Sequence, residues 1–138
     1  MNPSFDAVAA GDTLPDLVCP EITRHRLALF CGASGDHNPI HVDSDFARKF
    51  GMPDVFAHGM LSMAHLAQLL THWVPQAQLR RWGVRFLAIT PVHAVITCTG
   101  TVVEKLEIDG ERCVKLRIDA HTDQGTHTLS GEAILALP

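Results

Sequence analysis

Seven consecutive residues, Gly35-Asp36-His37-Asn38-Pro39-Ile40-His41, set a carboxylate and an imidazole five positions apart on a stiffened turn. Pro39 locks its own φ and pushes Asn38 toward extended backbone, so no α-helix runs through the segment and the placement of Asp36 relative to His41 is restricted. Gly35 frees the backbone where the turn begins. Imidazole titrates near neutrality while a carboxylate remains a proton acceptor, so an Asp and a His that reach one small molecule can share proton transfer. By residue type alone the segment also reads as a plain Gly/Pro turn, with Asp36 and Asn38 bonding their own backbone and a surface His following.

A second polar group lies on an apolar background. From Ala57 to Val74 the chain is apolar around most of a helical circumference and stops before Pro75, the pattern of a central helix wrapped by other structure. His58, Ser62, His65 and His72 recur at helical spacing and form one narrow polar stripe, expected to face a cleft or a subunit partner. Met60, Met63, Leu66, Leu69 and Leu70 are expected in the core.

Other elements must position these groups. Thr23 is a candidate cap for a short helix over Arg24 to Cys31, ended by Gly32 and the Gly35 turn; Asp43 or Ser44 opens another, closed by Gly51 with Pro53 beyond. After Pro75 the period changes. Glu111 to His121 alternates apolar and polar positions, Asp109-Gly110 joins it to a β-rich run from Val92 to Ile108, and Gln124-Gly125 joins it to Thr126 to Leu137. Trp82 to Ile89 adds a strand closed at Thr90-Pro91. Four consecutive antiparallel strands in a meander, preceded by one long apolar helix, predict an α+β chain with a curved sheet wrapped around that helix, the hot-dog architecture.

Composition narrows the partners. The 138 residues, 46% of them apolar, suit one domain over residues 1–138. Net charge is −4 and the basic residues are scattered, which argues against a nucleic-acid surface. No basic stretch precedes an apolar core at the N-terminus and no run spans a bilayer, so no membrane partner and a cytoplasmic location are expected. Cys19, Cys31, Cys98 and Cys113 lack paired short spacing and lie beside apolar residues, as packed reduced thiols do. Asp36, His37, His41, Asp43 and His58 are metal ligands by residue type, but their spacing matches no recognised metal motif, so neither a metal nor another cofactor is expected.

The run Phe30-Cys31-Gly32-Ala33-Ser34-Gly35-Asp36-His37-Asn38-Pro39-Ile40-His41, with Phe46-Ala47 and Ala57-His58-Gly59-Met60-Leu61 beyond it, resembles the signature of MaoC-like, R-specific enoyl-CoA hydratases and hydroxyacyl dehydratases. Weaker similarity extends to Gly11-Asp12, Val84-Arg85-Phe86 and Pro91-Val92. The resemblance implies a lyase in which Asp36 and His41 hold the water added across an enoyl thioester of CoA or acyl carrier protein. Gly59, at the start of the central helix, is then the candidate oxyanion donor through its N–H, and Asn38, His58 and Ser62 are the candidate substrate-binding residues, with His58 orienting that start, Asn38 bracing the loop or the water, and Ser62 lining the acyl site. His65 is balanced between that site and a subunit interface. Arg80, Arg81 and Arg85 are read as a solvated edge, and His25, His37, His93, His121 and His127 as solvated. A homodimer with substrate entering near its boundary is expected, a heterodimer being possible in such proteins. A hot-dog acyl-CoA thioesterase and a non-catalytic subunit of a heterodimeric dehydratase are the competing readings.

Overall fold

The computed structural model describes residues 2–138. The chain runs β1 (Leu17–Val18), α1 (Arg24–Ser34), a 3-10 turn (Pro39–His41), α2 (Ser44–Lys49), α3 (Gly59–Trp73), a second 3-10 turn (Gln76–Gln78), β2 (Leu79–Phe86), β3 (Ile96–Ile108), β4 (Glu111–Thr122) and β5 (His127–Ala136). One five-stranded antiparallel sheet in the order β1-β3-β4-β5-β2 packs against α3, which is the α+β hot-dog arrangement.

The two hairpins fall where the turn chemistry places them. Asp109 and Gly110 both hold positive φ, 51° and 80°, and their twist joins β3 to β4. The expected meander of four consecutive strands does not hold: β2 skips β3 and pairs with β5 at the opposite edge of the sheet. No tight-turn pair follows β2, and the long connection from 87 to 95 crosses the sheet end instead. Gly131 of β5 admits that pairing, because a Cβ there would stand 2.0 Å from the Gly83 carbonyl oxygen. Strand β2 also ends at Phe86, before the expected Ile89, and β3 starts at Ile96, past His93 with its φ of 72°. Strand β1 is absent from the sequence reading, since two residues bracketed by Pro15 and Pro20 carry no periodic signal.

Helix boundaries follow their caps. The Thr23 side chain accepts the Arg26 N–H to open α1, and Asp43 accepts those of Asp45 and Phe46 to open α2. Helix α1 runs through Gly32 to Ser34 and stops only at Gly35, the residue at φ 77°. Leu66, Leu69 and Leu70 of α3 pack with Ile96, Leu116, Ile118, Leu129 and Leu135 of the sheet, all at most 2% exposed. Each such side chain contributes about 1.5–3 kcal/mol. Met60 is 59% exposed rather than in the core, because it falls on the outer side of the first turn of α3. All four cysteines are buried free thiols. Among the described residues, no helix is long and apolar enough to cross a membrane.

Candidate active site

The chemistry-bearing turn is built by local bonds. Gly35 turns the chain out of α1, the Asp36 N–H donates to Ser34 Oγ at 3.1 Å, and the Asn38 N–H donates to Asp36 Oδ1 at 3.3 Å. Asn38 Oδ1 accepts the Ile40 N–H at 3.1 Å and Pro39 opens the 3-10 turn that ends on His41. The plain-turn reading holds for Asp36 and Asn38 but not for a surface histidine, since His41 is buried. The side chains of Asp36 and Asn38 do fasten their own backbone, and Asp36 keeps its second oxygen free of that task.

That second oxygen, Oδ2, lies 3.9 Å from His41 Nε2. His41 is buried, and its Nδ1 lies 2.8 Å from the Phe56 carbonyl oxygen. A carbonyl only accepts, so Nδ1 carries the hydrogen and Nε2 presents its lone pair. Two acceptors thus face each other across a gap too wide for a direct bond. One water at about 2.8 Å from each would subtend about 90°, close to its own H–O–H angle, and can donate one hydrogen to each.

Asp54 braces the segment carrying Phe56. Its Oδ1 accepts from Ser44 Oγ and from the Val55 N–H, both at 2.8 Å, and its Oδ2 meets the Arg24 guanidinium. The Ser44 bond, then the Val55 and Arg24 bonds, hold the Asp54 carboxyl down to about 2. One carboxylate thereby joins the starts of α1 and α2 to the strand-like stretch that fixes the His41 tautomer.

Beyond Phe56, against which the His41 ring packs, lies a cavity of about 360 Å³ lined by Phe56, Ala57, Gly59, Ser62, the 86–90 segment and Leu129; Asp36, Asn38 and His41 are not among its lining residues. Gly59 is the first residue of α3, where backbone N–H groups lack helical partners and the dipole favours negative charge. A Cβ on Gly59 would stand 2.9 Å from the Phe86 ring, so this glycine serves close approach. Ser62 is 1% exposed and its Oγ lies 3.3 Å from Thr90 Oγ1.

The polar stripe divides. His58 is buried under His41, with ring centroids 3.9 Å apart, and like Asp36 and His41 is not among the residues lining the cavity. His65 is buried in the core, its Nδ1 3.1 Å from Gln68 Oε1 and its Nε2 without a hydrogen-bond partner among the described residues, and the neighbouring Cys19 raises its pKa. His72 is exposed at the far end of α3. Of the other histidines, His25, His37 and His93 are exposed, whereas His121 and His127 are half-buried and stacked at 4.2 Å, with His127 Nε2 2.8 Å from Asp119. Arg80 donates to both Glu111 oxygens at 2.6 and 2.7 Å. Sequence reasoning had no signal for the Phe56 carbonyl, a backbone atom, nor for Asp54.

Asp36, His41 and His58 bring potential ligand atoms within 4.8 Å of one another. The donor geometry does not fit an ion. Imidazole lone pairs lie in the ring plane, and two rings stacked 25° from parallel do not aim them at one point. His41 Nδ1 and His58 Nε2 are also committed to carbonyl oxygens.

Residues 9–124 match the family described as MaoC like domain. The (R)-specific enoyl-CoA hydratase of Rhodospirillum rubrum is 31% identical over 119 residues, covering 85% of this chain and 81% of that protein. The 3-hydroxyacyl-thioester dehydratase X of Mycobacterium tuberculosis is 36% identical over 72 residues, 52% of this chain but only 25% of that protein, so the chain spans a fraction of that relative's length. The unliganded R-hydratase of Pseudomonas aeruginosa superposes with a TM-score of 0.86 over 99% of this chain and 86% of that one, at 24% identity, a likeness of fold. With the family match covering most of its length, this chain belongs to the MaoC-like dehydratase domain family.

Proposed function

We propose that the protein is a hydro-lyase that interconverts trans-2-enoyl and (3R)-3-hydroxyacyl thioesters, with Asp36 and His41 acting on one water. The observation that carries this reading is the 3.9 Å gap between Asp36 Oδ2 and His41 Nε2, two acceptors spaced for a bridging water, with an apolar cavity beyond Phe56. In the hydration direction the pair takes one proton from the water as its oxygen bonds the β-carbon, and a proton is returned to the α-carbon. Negative charge gathers on the thioester oxygen, and the Gly59 N–H at the start of α3 is the group assigned to it. The acyl chain occupies the cavity walled by Phe86 to Thr90, with Ser62 at its side. Asn38 acts through the loop, since its side-chain oxygen is bonded to the Ile40 N–H. Taking the proton from the water needs only these two side chains, so the reading calls for no metal or other cofactor.

One domain spans residues 1–138 and works as a cytoplasmic homodimer. Strand β2 has one unpaired edge, and Met60, Phe86, Leu87 and Ile89 expose apolar surface beside the cavity, the features a second copy covers. The thioester is carried on CoA or on acyl carrier protein.

Loss of enoyl absorbance with a chain-length series of trans-2-enoyl-CoA substrates, followed by chiral analysis of the product, tests the activity. Formation of (3R)-hydroxyacyl product supports it; release of free CoA from saturated acyl-CoA with no hydration would replace it by the thioesterase reading. Light scattering showing a monomer at micromolar concentration would remove the dimer.

A further inference from the structure

Several contacts converge on one buried ring. His58 is 1% exposed and occupies the N-cap position of α3 without making a side-chain cap bond. Its face lies on His41 at 3.9 Å, and the Phe30 ring meets it edge-on at 4.8 Å. Its Nε2 is 3.3 Å from the Asp36 carbonyl oxygen and 3.3 Å from Cys31 Sγ. The carbonyl only accepts, so Nε2 carries the hydrogen and the sulfur is a second acceptor. Nδ1 is then the lone-pair nitrogen, buried with no partner among the described residues.

We infer that His58 is a positioning residue that never touches substrate: its face seats the His41 ring and its edge holds the Asp36 backbone, so one rigid side chain sets both members of the pair. The inference rests on the roles proposed for Asp36 and His41 and departs from the sequence expectation that His58 binds substrate. A phenyl ring would offer the same stacked face without an orphaned nitrogen, so what the imidazole adds is the N–H aimed at Asp36. The alignment this supplies matters because a misplacement of about 1 Å costs about 10²-fold in rate.

The ring also stays uncharged. Burial lowers its pKa, the nearby His41 lowers it further, and the opposing pull of the Asp36 carbonyl and carboxylate is the smaller effect. The groups facing it are His41 from the 3-10 turn, Asp36 from the loop and Cys31 from α1, whose thiol is kept protonated by burial. When His41 takes a proton, the charge therefore rests against a neutral aromatic face.

Two substitutions separate face from edge. His58→Phe keeps the stacked face and loses the donor, whereas His58→Gln keeps a donor and loses the face; each is expected to lower kcat for a short enoyl-CoA about 10-fold with KM unchanged, and His58→Ala about 10²-fold. In the His58→Phe background the loss caused by Asp36→Asn should shrink, since Asp36 is already displaced. The His41 ring-proton resonances should keep their ring-current shift in His58→Phe and lose it in His58→Gln, a readout independent of activity. An inactive parent would therefore sink the proposed function and still leave the support of His41 measurable. A raised KM with intact kcat would make His58 a substrate contact and overturn the inference, as would parent-like turnover in both Phe and Gln variants. Should the Ala variant fail to fold, the Phe and Gln pair decides.

Discussion

His58 and His65 stand two helical turns apart on one stripe of the central helix, both buried, and their surroundings drive them in opposite directions. His58 is 1% exposed and its pKa is lowered, first by burial; His65 is 5% exposed and its pKa is raised, first by the neighbouring Cys19. One adjoins the Asp36–His41 pair, the other sits among core residues outside the cavity lining. Identical residue types at helical spacing thus define a face but not a role. The role follows from what the rest of the fold brings against each ring.

The largest effects are expected beside His58. Asp36→Asn and His41→Gln should each reduce hydration of a short enoyl-CoA by ~10²–10⁴-fold, the usual worth of one positioned acid or base. The double variant should lose much less than the product of the single losses, as the proposal that both groups act on one water requires. His37→Gln, exposed and outside the pair, should turn over like the parent. Near-normal rates in either single variant, with circular dichroism showing folded protein, would refute the assignment.

At the other end of the stripe the effect is on stability alone. His65→Leu removes the bond to the exposed Gln68 and the ring beside Cys19 and should cost about 0.5–1.5 kcal/mol in denaturant unfolding while leaving kcat and KM unchanged. A matching loss of turnover would erase the distinction between the two histidines.

A smaller effect separates them by sign. The folded His58 pKa lies below the unfolded value of 6.5, so the unfolded chain binds the proton first and the stability this ring contributes is full above 6.5 and lost as pH falls toward the depressed value. The folded His65 pKa lies above 6.5, so its contribution is full below 6.5 and lost as pH rises through the raised value. Melting temperatures across pH 5 to 8 should therefore fall less steeply on the acid side in His58→Phe, and less steeply on the alkaline side in His65→Leu. Slopes unchanged from the parent would show that neither ring titrates as described. The smallest expected effect is none: chelation by EDTA should leave hydratase turnover as it was. Loss of activity restored by a divalent ion would make the stacked pair a metal site after all.

The local grammar of the chain is readable where one residue type answers one backbone demand. Thr23, Asp43, Gly35 and Asp109-Gly110 announce caps and turns that the structure contains. The apolar run marks the central helix, and the Gly35 to His41 motif supplies the two side chains that the fold brings to 3.9 Å. Long-range choices are not readable. Nothing in the alternation of Leu79 to Phe86 says which strand it joins, because either edge of the sheet would bury the same face; the selecting feature is the bare backbone at Gly131, legible only once its neighbour is known. Met60 departs from its expected place because helical periodicity defines a face without saying how far along the helix the cover extends. The Phe56 carbonyl and the Asp54 brace escape because one has no side chain and the other no flanking pattern.

The pairing of β2 with β5 also orders events during synthesis. Asp36, His41, the central helix and β2 leave the ribosome before β5, yet Leu79 to Phe86 bond to Leu135 back through Leu129, on the far side of two intervening strands in the chain. Contacts of that sequence separation close late, after the local hairpin of β3 with β4. Until β5 arrives, Leu79 to Phe86 have no strand partner and the exposed Leu87 and Ile89 follow directly behind them, the kind of surface that nascent chains lose to aggregation. The wall of the cavity beside Gly59 and Ser62 is accordingly among the last parts of the molecule to acquire its shape. Slowing translation over the final strand should lengthen the period in which a chaperone can capture the chain.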